Sequence, residues 1–248
     1  QSDFFNMRWE KIKENIVNFY SLPESKKIFD IGFGFAQALR YFDKLGFEVS
    51  GIEPSTEGYE YAKSKGLEVY HSGIEDFDCI RGKHFDIVLL LNVLEHLREP
   101  EVILKNIKNQ VLNPDGLLVI DVPNDFNIFQ EIANKEYGLN EWWVVAPNHI
   151  NYFSHESLSR LLEGCGYKIV NCTSTFPIDL FLLFGDNYIG DLQKGKTCHN
   201  KRVNFEKLMV KYGKQNELIK AAEISITNDQ IIKDKEVKKP AKKVDAKK

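Results

Sequence analysis

Short apolar runs alternate with stretches of helical periodicity through the first half of the chain. The longest run, Ile87–Leu91, is apolar throughout, as in a strand that is buried on both faces. The helical stretches begin or end near Ser, Pro or Gly. The predicted strands are Lys27–Ile31, Phe47–Ile52, Leu67–Tyr70, Phe85–Leu91 and Leu117–Val122. This order predicts an α/β fold, a doubly wound and mostly parallel sheet with right-handed crossovers.

The second half of the chain is less regular. Residues 123–153 are rich in aromatic side chains and Asn, without a clear period, and predict an insertion that covers the carboxyl edge of the sheet. Ser154 is predicted to cap a following helix. Further strands at Tyr167–Cys172 and Ile224–Lys233 would complete a Rossmann-like sheet of seven strands, with a helix at Lys201–Ala222 before the last one.

We predict one α/β domain over residues 26–232, after an N-terminal helical segment, 1–25, and before a tail, 233–248. The tail holds eight Lys and three acidic residues, which contribute +5 to a net charge of −3, so the remainder carries −8. Such a tail is predicted to be disordered. The acidic body argues against nucleic acid as a partner.

Other features narrow the class of protein. No apolar run approaches the roughly 18 residues that a membrane span needs, and no signal peptide is evident. The four cysteines form no CxxC pair, which favours reduced thiols and a cytoplasmic location. Cys198 and His199 lack partners at ligand spacing, so we expect no metal site.

The strongest local signal is a glycine loop where the first strand meets the first helix. Gly32 and Gly34 allow a tight turn and the close approach of a ligand to the backbone. Glu53 ends the second strand, 23 residues after Asp30, where a carboxylate can accept both hydroxyls of a ribose. Together these features predict binding of an adenosine moiety. The GxGxxG fingerprint of dinucleotide sites fails, because Gln37 stands at its last position.

The Asp-x-Gly-x-Gly pattern that begins at Asp30 resembles the first motif of class I S-adenosylmethionine-dependent methyltransferases. Similar motifs follow in the same order over residues 26–172, as in the small-molecule branch that includes ubiquinone-type O-methyltransferases. They are GIEPS at 51–55, SGIEDF at 72–77, FDIV at 85–88, NVLEHL at 92–97, LNPDGLL at 112–118 and NHINYFS at 148–154. The later run FPIDLFLL, at 176–183, is similar to segments of surface-polysaccharide methyltransferases.

This resemblance implies S-adenosyl-L-methionine as the cofactor. Asp30 would brace the glycine loop, Glu53 would hold the ribose, and Asn92 would face the cofactor amine. Two positions depart from the family pattern: Ala36 replaces the third glycine, and Gly73 replaces an acid that faces the adenine. The implied cofactor-binding residues are Asp30, Gly32, Phe33, Gly34, Glu53, Pro54, Ile74, Glu75 and Asn92.

Two histidines are candidate catalytic residues. His96 follows the fourth strand and His149 lies in the predicted insertion, and an imidazole can remove a proton from a hydroxyl near neutral pH. His149 is preferred, because the covering segment is the part that meets the substrate, whereas His96 can be a packing residue. Trp142 and Trp143 either wall a substrate pocket or belong to the core, and His155 is expected at the surface.

The predicted function is methyl transfer from S-adenosylmethionine to a small molecule without a required metal. We favour O-methylation of a sugar or nucleotide-linked sugar in carbohydrate biosynthesis. The alternatives are N- or C-methylation, and a protein of the same fold that binds the cofactor without catalysis. A nucleic-acid methyltransferase that uses the Lys-rich tail is disfavoured by the acidic body. The sequence leaves the oligomeric state and the acceptor atom open.

Overall fold

The structure is a computed structural model, which describes residues 2–19 and 26–214. Five strands lie in this part of the chain: β1 (Lys27–Ile31), β2 (Glu48–Glu53), β3 (Glu68–His71), β4 (Phe85–Leu91) and β5 (Leu112–Asp121). The helices are α1 (Ser2–Phe19), α2 (Gln37–Asp43), α3 (Thr56–Ser64), α4 (Pro100–Asn106), α5 (Ile128–Tyr137), α6 (His155–Gly164), α7 (Leu180–Leu183) and α8 (Leu192–Lys211).

The five strands form one sheet in the order β3-β2-β1-β4-β5, and every neighbouring pair is parallel. The chain winds outward from β1 to β3 and then returns to place β4 on the other side of β1. This reversal is a topological switch point, beside which open α/β sheets bind their ligands at the carboxyl ends of the strands. A ligand site is therefore expected beside the loops that follow β1 and β4.

Apolar side chains cover both faces of the sheet. On β4, Ile87 and Leu89 belong to a core cluster with side chains of α1, α2 and α3, whereas Val88 and Leu90 belong to a second cluster with α4 and flanking side chains of α6. Because successive side chains of a strand point to opposite faces, a strand buried on both sides is apolar at every position. This explains why β1 and β4 begin and end where the sequence predicts.

The prediction of a strand at Tyr167–Cys172 is wrong, since this segment pairs with no strand of the described residues. The Tyr167 hydroxyl donates a hydrogen bond to the carbonyl of Leu104 on α4, at 2.8 Å. The segment is thus fixed by a side chain docked on a helix, and Val170 is exposed. The predicted strand Ile224–Lys233, the end of the predicted helix Lys201–Ala222 and the Lys-rich tail lie outside the described residues.

The strand predicted at Leu117–Val122 is part of a longer strand, β5, whose pairing is irregular near its start. Leu112 is opposite Phe85 on β4, but Leu117 is opposite Ile87, so the intervening residues bulge out of register. The predicted cap at Ser154 is confirmed, since Ser154 caps α6 and forms a capping box with Ser157. Asn127, for which the sequence analysis predicted no cap, starts α5 in the same way with Gln130.

Residues 123–153 contain α5 and a series of turns. Their last part docks on the turn that follows β4, because the backbone N–H groups of Ile150 and Asn151 both donate to the carbonyl of Glu95, at 3.0 Å.

The N-terminal helix α1 is joined to the carboxyl end of β5 by an ion pair: Arg8 pairs with Asp121, the last residue of β5, at 2.7 Å. None of the helices within 2–19 and 26–214 has the length and apolar character that crossing a bilayer requires.

Candidate active site

The glycine loop after β1 adopts left-handed backbone conformations at three alternate residues. The φ angles are 73° at Gly32, 53° at Gly34 and 52° at Ala36. The Gly32 N–H donates to the carbonyl of Ile52 at 2.8 Å, and a Cβ at Gly32 would lie 2.7 Å from Cγ2 of Val93. A Cβ at Gly34 would meet no atom of the described residues within 4 Å. The loop is therefore held on the Gly32 side and open at Gly34.

Glu53 links the ends of β1 and β2. Its buried carboxylate accepts the N–H of Gly34 at 2.7 Å through Oε2 and the N–H of Ser55 at 2.9 Å through Oε1. A carboxylate has about four lone-pair sites, so two remain for other donors. The sequence predicts this acid beside the loop but not its hydrogen bond to Gly34.

Asp30 and Phe33, on either side of the first part of the loop, are both buried. Asp30 is almost fully buried, and this burial raises the pKa of its carboxyl to about 8; the nearby Glu53 also raises it, whereas Arg8 lowers it. The Phe33 ring packs in the core cluster of α1, α2 and α3. Any contact of Phe33 with a ligand would therefore use its backbone.

Three other predicted cofactor residues lie after β2 and β3. Pro54 is exposed, and its carbonyl accepts a hydrogen bond from Nε2 of His71 at 3.1 Å. Ile74 is half-buried and lies near Gly32, since a Cβ at Gly32 would be 3.8 Å from its Cγ2. Glu75 is exposed. His71 was not among the predicted site residues; its ring stacks on Tyr59 with centroids 4.9 Å apart.

The turn after β4 connects the glycine loop to the histidines. Asn92 is exposed, has a positive φ of 56°, and donates its N–H to the carbonyl of Asp121 at 2.8 Å. A non-glycine residue with positive φ is uncommon and often has a functional reason. Val93 follows, close to Gly32, and its carbonyl accepts the N–H of His96 at 2.9 Å.

His96 and His149, which are 53 residues apart in the sequence, meet in the structure. Their rings are edge to face, with centroids 4.8 Å apart. Nδ1–H of His96 donates to the carbonyl of Asn148 at 2.6 Å. Nδ1 of His149 is buried and makes no hydrogen bond to any of the described residues. The two candidate catalytic histidines therefore form one cluster beside the turn that contacts the glycine loop.

Glu95 completes this cluster, although it was not among the predicted site residues. Its side chain is 2% exposed, and Oε2 has no hydrogen-bond partner within the described part of the chain. Burial raises the pKa of this carboxyl above its ordinary value, against the effect of the two nearby histidines. The Leu-Glu-His triplet was the available signal, because it places the acid next to a candidate base.

A cluster of aromatic side chains lies beside His149, whose nearest ring in the cluster is that of Tyr152. The ring of Phe126 is edge to face with Trp143 and with Tyr152, at centroid distances of 5.6 and 5.8 Å, and Trp142 packs against Trp143 at 4.6 Å. Phe126 has a φ of 55°, which is strained for a bulky residue. The sequence indicated the two tryptophans but not Phe126 or Tyr152.

Two buried polar groups near these rings lack partners. Neither Nε1 of Trp143 nor Oδ2 of Asp125 makes a hydrogen bond to a residue in 2–19 or 26–214. Burial raises the pKa of Asp125, while His149 lowers it. Since buried polar groups are normally paired, these two are candidate contacts for an acceptor molecule. His155, by contrast, is exposed, with its Nδ1 3.4 Å from Sγ of Cys172.

A family model for a methyltransferase domain matches residues 6–171, which include the glycine loop, Glu53 and both histidines. The chain belongs to this methyltransferase domain family. The family confirms the predicted class, the class I S-adenosylmethionine-dependent methyltransferases, and the predicted cofactor.

Curated relatives give the same assignment. A ubiquinone biosynthesis O-methyltransferase of Glaesserella parasuis serovar 5 (strain SH0165) is 35% identical over 159 residues, which cover 59% of this chain and 66% of that protein. The protein of the same name from Bradyrhizobium sp. (strain ORS 278) is 33% identical over 56% of this chain and 60% of its own length. The chain thus spans less than two thirds of the length of these relatives.

Solved structures share the fold. A SAM-dependent methyltransferase from Archaeoglobus fulgidus superposes with a TM-score of 0.55 over 69% of this chain and 73% of its own, at 19% identity. A putative methyltransferase from Bacillus halodurans has a TM-score of 0.51 over 75% of this chain and 81% of its own, at 14% identity. Both support the Rossmann-like α/β methyltransferase architecture around the five parallel strands.

The residues at the switch point fit S-adenosylmethionine. The carboxylate of Glu53 keeps lone pairs for ribose hydroxyls, and the space at Gly34 that a Cβ would fill is free of protein atoms. The exposed Asn92 lies at the end of β4, next to β1 in the sheet. Polar groups and open backbone therefore surround the carboxyl end of β1, as a nucleoside cofactor requires.

Proposed function

We propose that this chain transfers a methyl group from S-adenosylmethionine to a hydroxyl oxygen of a small molecule. The observation that carries the proposal is the connection through Val93. Its side chain lies against Gly32 of the glycine loop, and its carbonyl accepts the N–H of His96. One short turn therefore joins the cofactor loop to a histidine that contacts a second histidine. This proximity is what methyl transfer to a hydroxyl needs.

The bound cofactor supplies a methyl group that its sulfonium activates. The residues of the chain position the reactants and move the proton. Glu53 and the backbone of Gly34 hold the nucleoside, and Asn92 orients its amino-acid end. His149 accepts the proton of the hydroxyl, because its Nδ1 has no partner among the described residues, whereas Nδ1–H of His96 is bound to Asn148.

The acceptor in this proposal is a sugar or a nucleotide-linked sugar, which presents an apolar face and several hydroxyls. The rings of Phe126, Trp143 and Tyr152 offer the matching apolar surface. The free carboxylate oxygen of Asp125 and the indole N–H of Trp143 offer an acceptor and a donor. The names of the curated relatives support oxygen as the methylated atom. Residues 123–153 would cover the carboxyl edge of the sheet and form this wall.

The chain would act in the cytoplasm on a small molecule, with no nucleic acid or membrane partner. No disulfide joins any of the four cysteines, all of which lie among the described residues, as in a reducing compartment. The methyltransferase domain would extend over residues 26–232, with 1–25 as an N-terminal helical segment and 233–248 as a disordered tail.

Methyl transfer with a panel of acceptors tests the proposal. Purified protein is incubated with S-adenosylmethionine labelled in the methyl group and with nucleotide-linked sugars, free sugars, catechols and amines. We expect the label in a sugar hydroxyl. Label in an amine or at carbon would replace O-methylation by N- or C-methylation. Tight binding of the demethylated cofactor without transfer to any acceptor would identify a binding protein of the same fold.

A further inference from the structure

Asp125 has a buried carboxylate oxygen without a partner. The residue is 6% exposed, and its Oδ2 makes no hydrogen bond to any residue in 2–19 or 26–214. A buried ionised carboxylate is unfavourable unless it is paired or hydrogen-bonded, and buried polar groups of native proteins normally have a partner. A ligand that supplies a donor to Oδ2 would remove this cost.

The backbone fixes the position of Asp125. Its N–H donates to the carbonyl of Phe153 at 3.0 Å, and the preceding residue, Asn124, forms a parallel bridge with Phe153. The next residue is Phe126, whose ring contacts the ring of Tyr152. Asp125 is therefore anchored where two segments meet, and each segment contributes a ring to the aromatic cluster beside His149.

The charges around Asp125 favour a cation from outside the chain. Burial raises the pKa of Asp125, Asp179 raises it further, and His149 lowers it. Asp179 is compensated within the fold, since it accepts the hydroxyl of Tyr188 at 2.9 Å and interacts with the positive charge of Arg202. No Lys or Arg among the described residues forms an ion pair with Asp125. His149 must be neutral to accept a proton, so Asp125 needs another positive partner.

The neighbouring rings suit an ammonium group. Phe126 is 45% exposed, and its ring is edge to face with those of Trp143 and Tyr152. The faces of aromatic rings attract cations, and rings near a binding pocket are a common means of recognising alkylammonium ligands. A neutral hydroxyl could donate to Oδ2, but it would leave the charge of a buried carboxylate uncompensated.

We propose that Asp125 binds a protonated amine of the methyl acceptor, which is therefore an amino sugar, free or nucleotide-linked. This inference rests on the proposed function and narrows its class of acceptor. The ammonium donates to Oδ2 of Asp125 and lies against the ring of Phe126, and the indole N–H of Trp143 donates to an oxygen of the sugar.

The ion pair also determines which atom receives the methyl group. A protonated amine has no lone pair, so an amine held as an ammonium on Asp125 cannot attack the methyl carbon. A hydroxyl of the same sugar attacks instead. Its proton passes to His149, its oxygen forms a bond to the methyl carbon, and the carbon–sulfur bond breaks with its electron pair left on sulfur. The amine serves for recognition and is unchanged in the product.

Binding of matched sugars tests the inference without turnover. The full chain, in the presence of the demethylated cofactor, is titrated by calorimetry with nucleotide-linked hexoses that carry a hydroxyl, an amine or an acetylated amine at one ring position at a time. We expect the amine at one position to bind about 10- to 100-fold more tightly than its two counterparts, because hydrogen bonds between charged groups are stronger than neutral ones. Equal affinity for the three forms at every position overturns the inference.

Asp125→Asn removes the charge at nearly constant size and should reduce the preference for the amine to within about 3-fold, the remainder being due to the rings. Circular dichroism checks that the variant folds, and the matched sugars carry the test with the wild type if it does not. Glu131→Gln, at an exposed acid in the first turn of α5, is the control and should keep the full preference. A preference that survives in folded Asp125→Asn overturns the assignment to Asp125.

Product analysis separates this inference from the proposed function. Transfer to sugar hydroxyls without a preference for the amino form overturns the inference and leaves the proposed function intact. A preference in binding that depends on Asp125, without transfer to any acceptor, supports the inference and rejects the proposed function. Label on the amine nitrogen overturns the inference, because an amine held as an ammonium is not methylated.

Discussion

The carboxylate of Glu53 accepts the backbone N–H of Gly34 at 2.7 Å, so the acid at the end of β2 holds the glycine loop at the end of β1. The second carboxylate oxygen accepts the N–H of Ser55. One side chain therefore fixes two neighbouring loops and still has lone pairs for a ligand. In the proposed nucleoside site, a single acid at this strand end would therefore both shape the loop and bind the ligand.

Glu53→Ala should weaken binding of the demethylated cofactor by about 5- to 150-fold, because about 1–3 kcal/mol is lost when ribose hydroxyls lose their acceptor. Calorimetry on the folded variant measures this change. Glu57→Gln removes an exposed acid in the first turn of α3 and is the matched control, with unchanged affinity. Wild-type affinity in Glu53→Ala would show that Glu53 serves the loop alone.

Gly34→Ala should lower cofactor affinity by at least about 10-fold, because its methyl group projects into the open space where a ligand approaches. A left-handed alanine also destabilises the fold, by about 1–2 kcal/mol. Gly46→Ala separates the two effects. Gly46 has a φ of 81°, and a Cβ there would also meet no atom of the described residues within 4 Å. Gly46 precedes β2, however, and so lies at the amino ends of the strands, away from the glycine loop.

Both glycine variants should therefore show a similar fall in the free energy of unfolding, measured by urea denaturation. Only Gly34→Ala should lose affinity in calorimetry. Equal affinities for the two variants would mean that the loop is a turn without ligand contact.

The burial of Asp30 gives stability a pH dependence. The pKa of Asp30 is raised to about 8, whereas an unfolded Asp titrates near 4, so between these values the folded state binds one more proton than the unfolded state. The free energy of unfolding is therefore highest, for this group, below about pH 4. It falls by up to about 1.4 kcal/mol per pH unit towards pH 8 and then levels off.

Asp30→Asn should remove this slope, because an amide does not titrate. Urea denaturation at pH 5, 6, 7 and 8 should show the variant gaining stability relative to the wild type as the pH rises. Asp43→Asn, at an exposed position at the end of α2, is the control and should follow the wild type. A constant difference between Asp30→Asn and the wild type over this range would contradict the buried, protonated state.

The sequence predicts the sheet well where burial on both faces imposes an apolar run, as at β1 and β4. The prediction from sequence fails at Tyr167–Cys172. A short apolar segment that docks on a helix, as this one does through Tyr167, has the same local sequence pattern as a strand. The meeting of Gly32, Gly34 and Glu53 could be predicted, since the carboxyl ends of neighbouring parallel strands converge on one edge.

The cluster around His149 could not be predicted in the same way. Its geometry depends on the path of residues 123–153, which has no periodic signal, and on hydrogen bonds between this segment and the carbonyl of Glu95. Glu95 and Asp125 are inconspicuous in the sequence, because single acids are usually solvated. Only the fold shows that both are buried with an oxygen that has no partner in the described residues.

Trp143→Phe should raise KM for the acceptor several-fold, with a smaller effect on kcat and no change in cofactor affinity. The substitution keeps an aromatic ring beside Phe126 but removes the buried indole N–H that we assign to the acceptor. Steady-state kinetics against acceptor concentration separate KM from kcat. Trp9→Phe alters a buried tryptophan of α1, in the core cluster with α2 and α3, and should leave KM unchanged. An unchanged KM in both variants would assign Trp143 to the core.

His149→Ala should lower turnover by about 10²–10⁴-fold while the affinity for the demethylated cofactor stays within a few-fold. The reason lies in the hydrogen bonds of the two rings. Nδ1 of His149 makes no hydrogen bond to the described residues, whereas Nδ1–H of His96 donates to the carbonyl of Asn148. His149 is therefore the better placed to accept the proton of the acceptor hydroxyl. Single-turnover kinetics with His84→Ala as control measure the chemical step. A large loss in His96→Ala alone would reverse the two roles. Wild-type rates in both variants would leave catalysis to positioning alone.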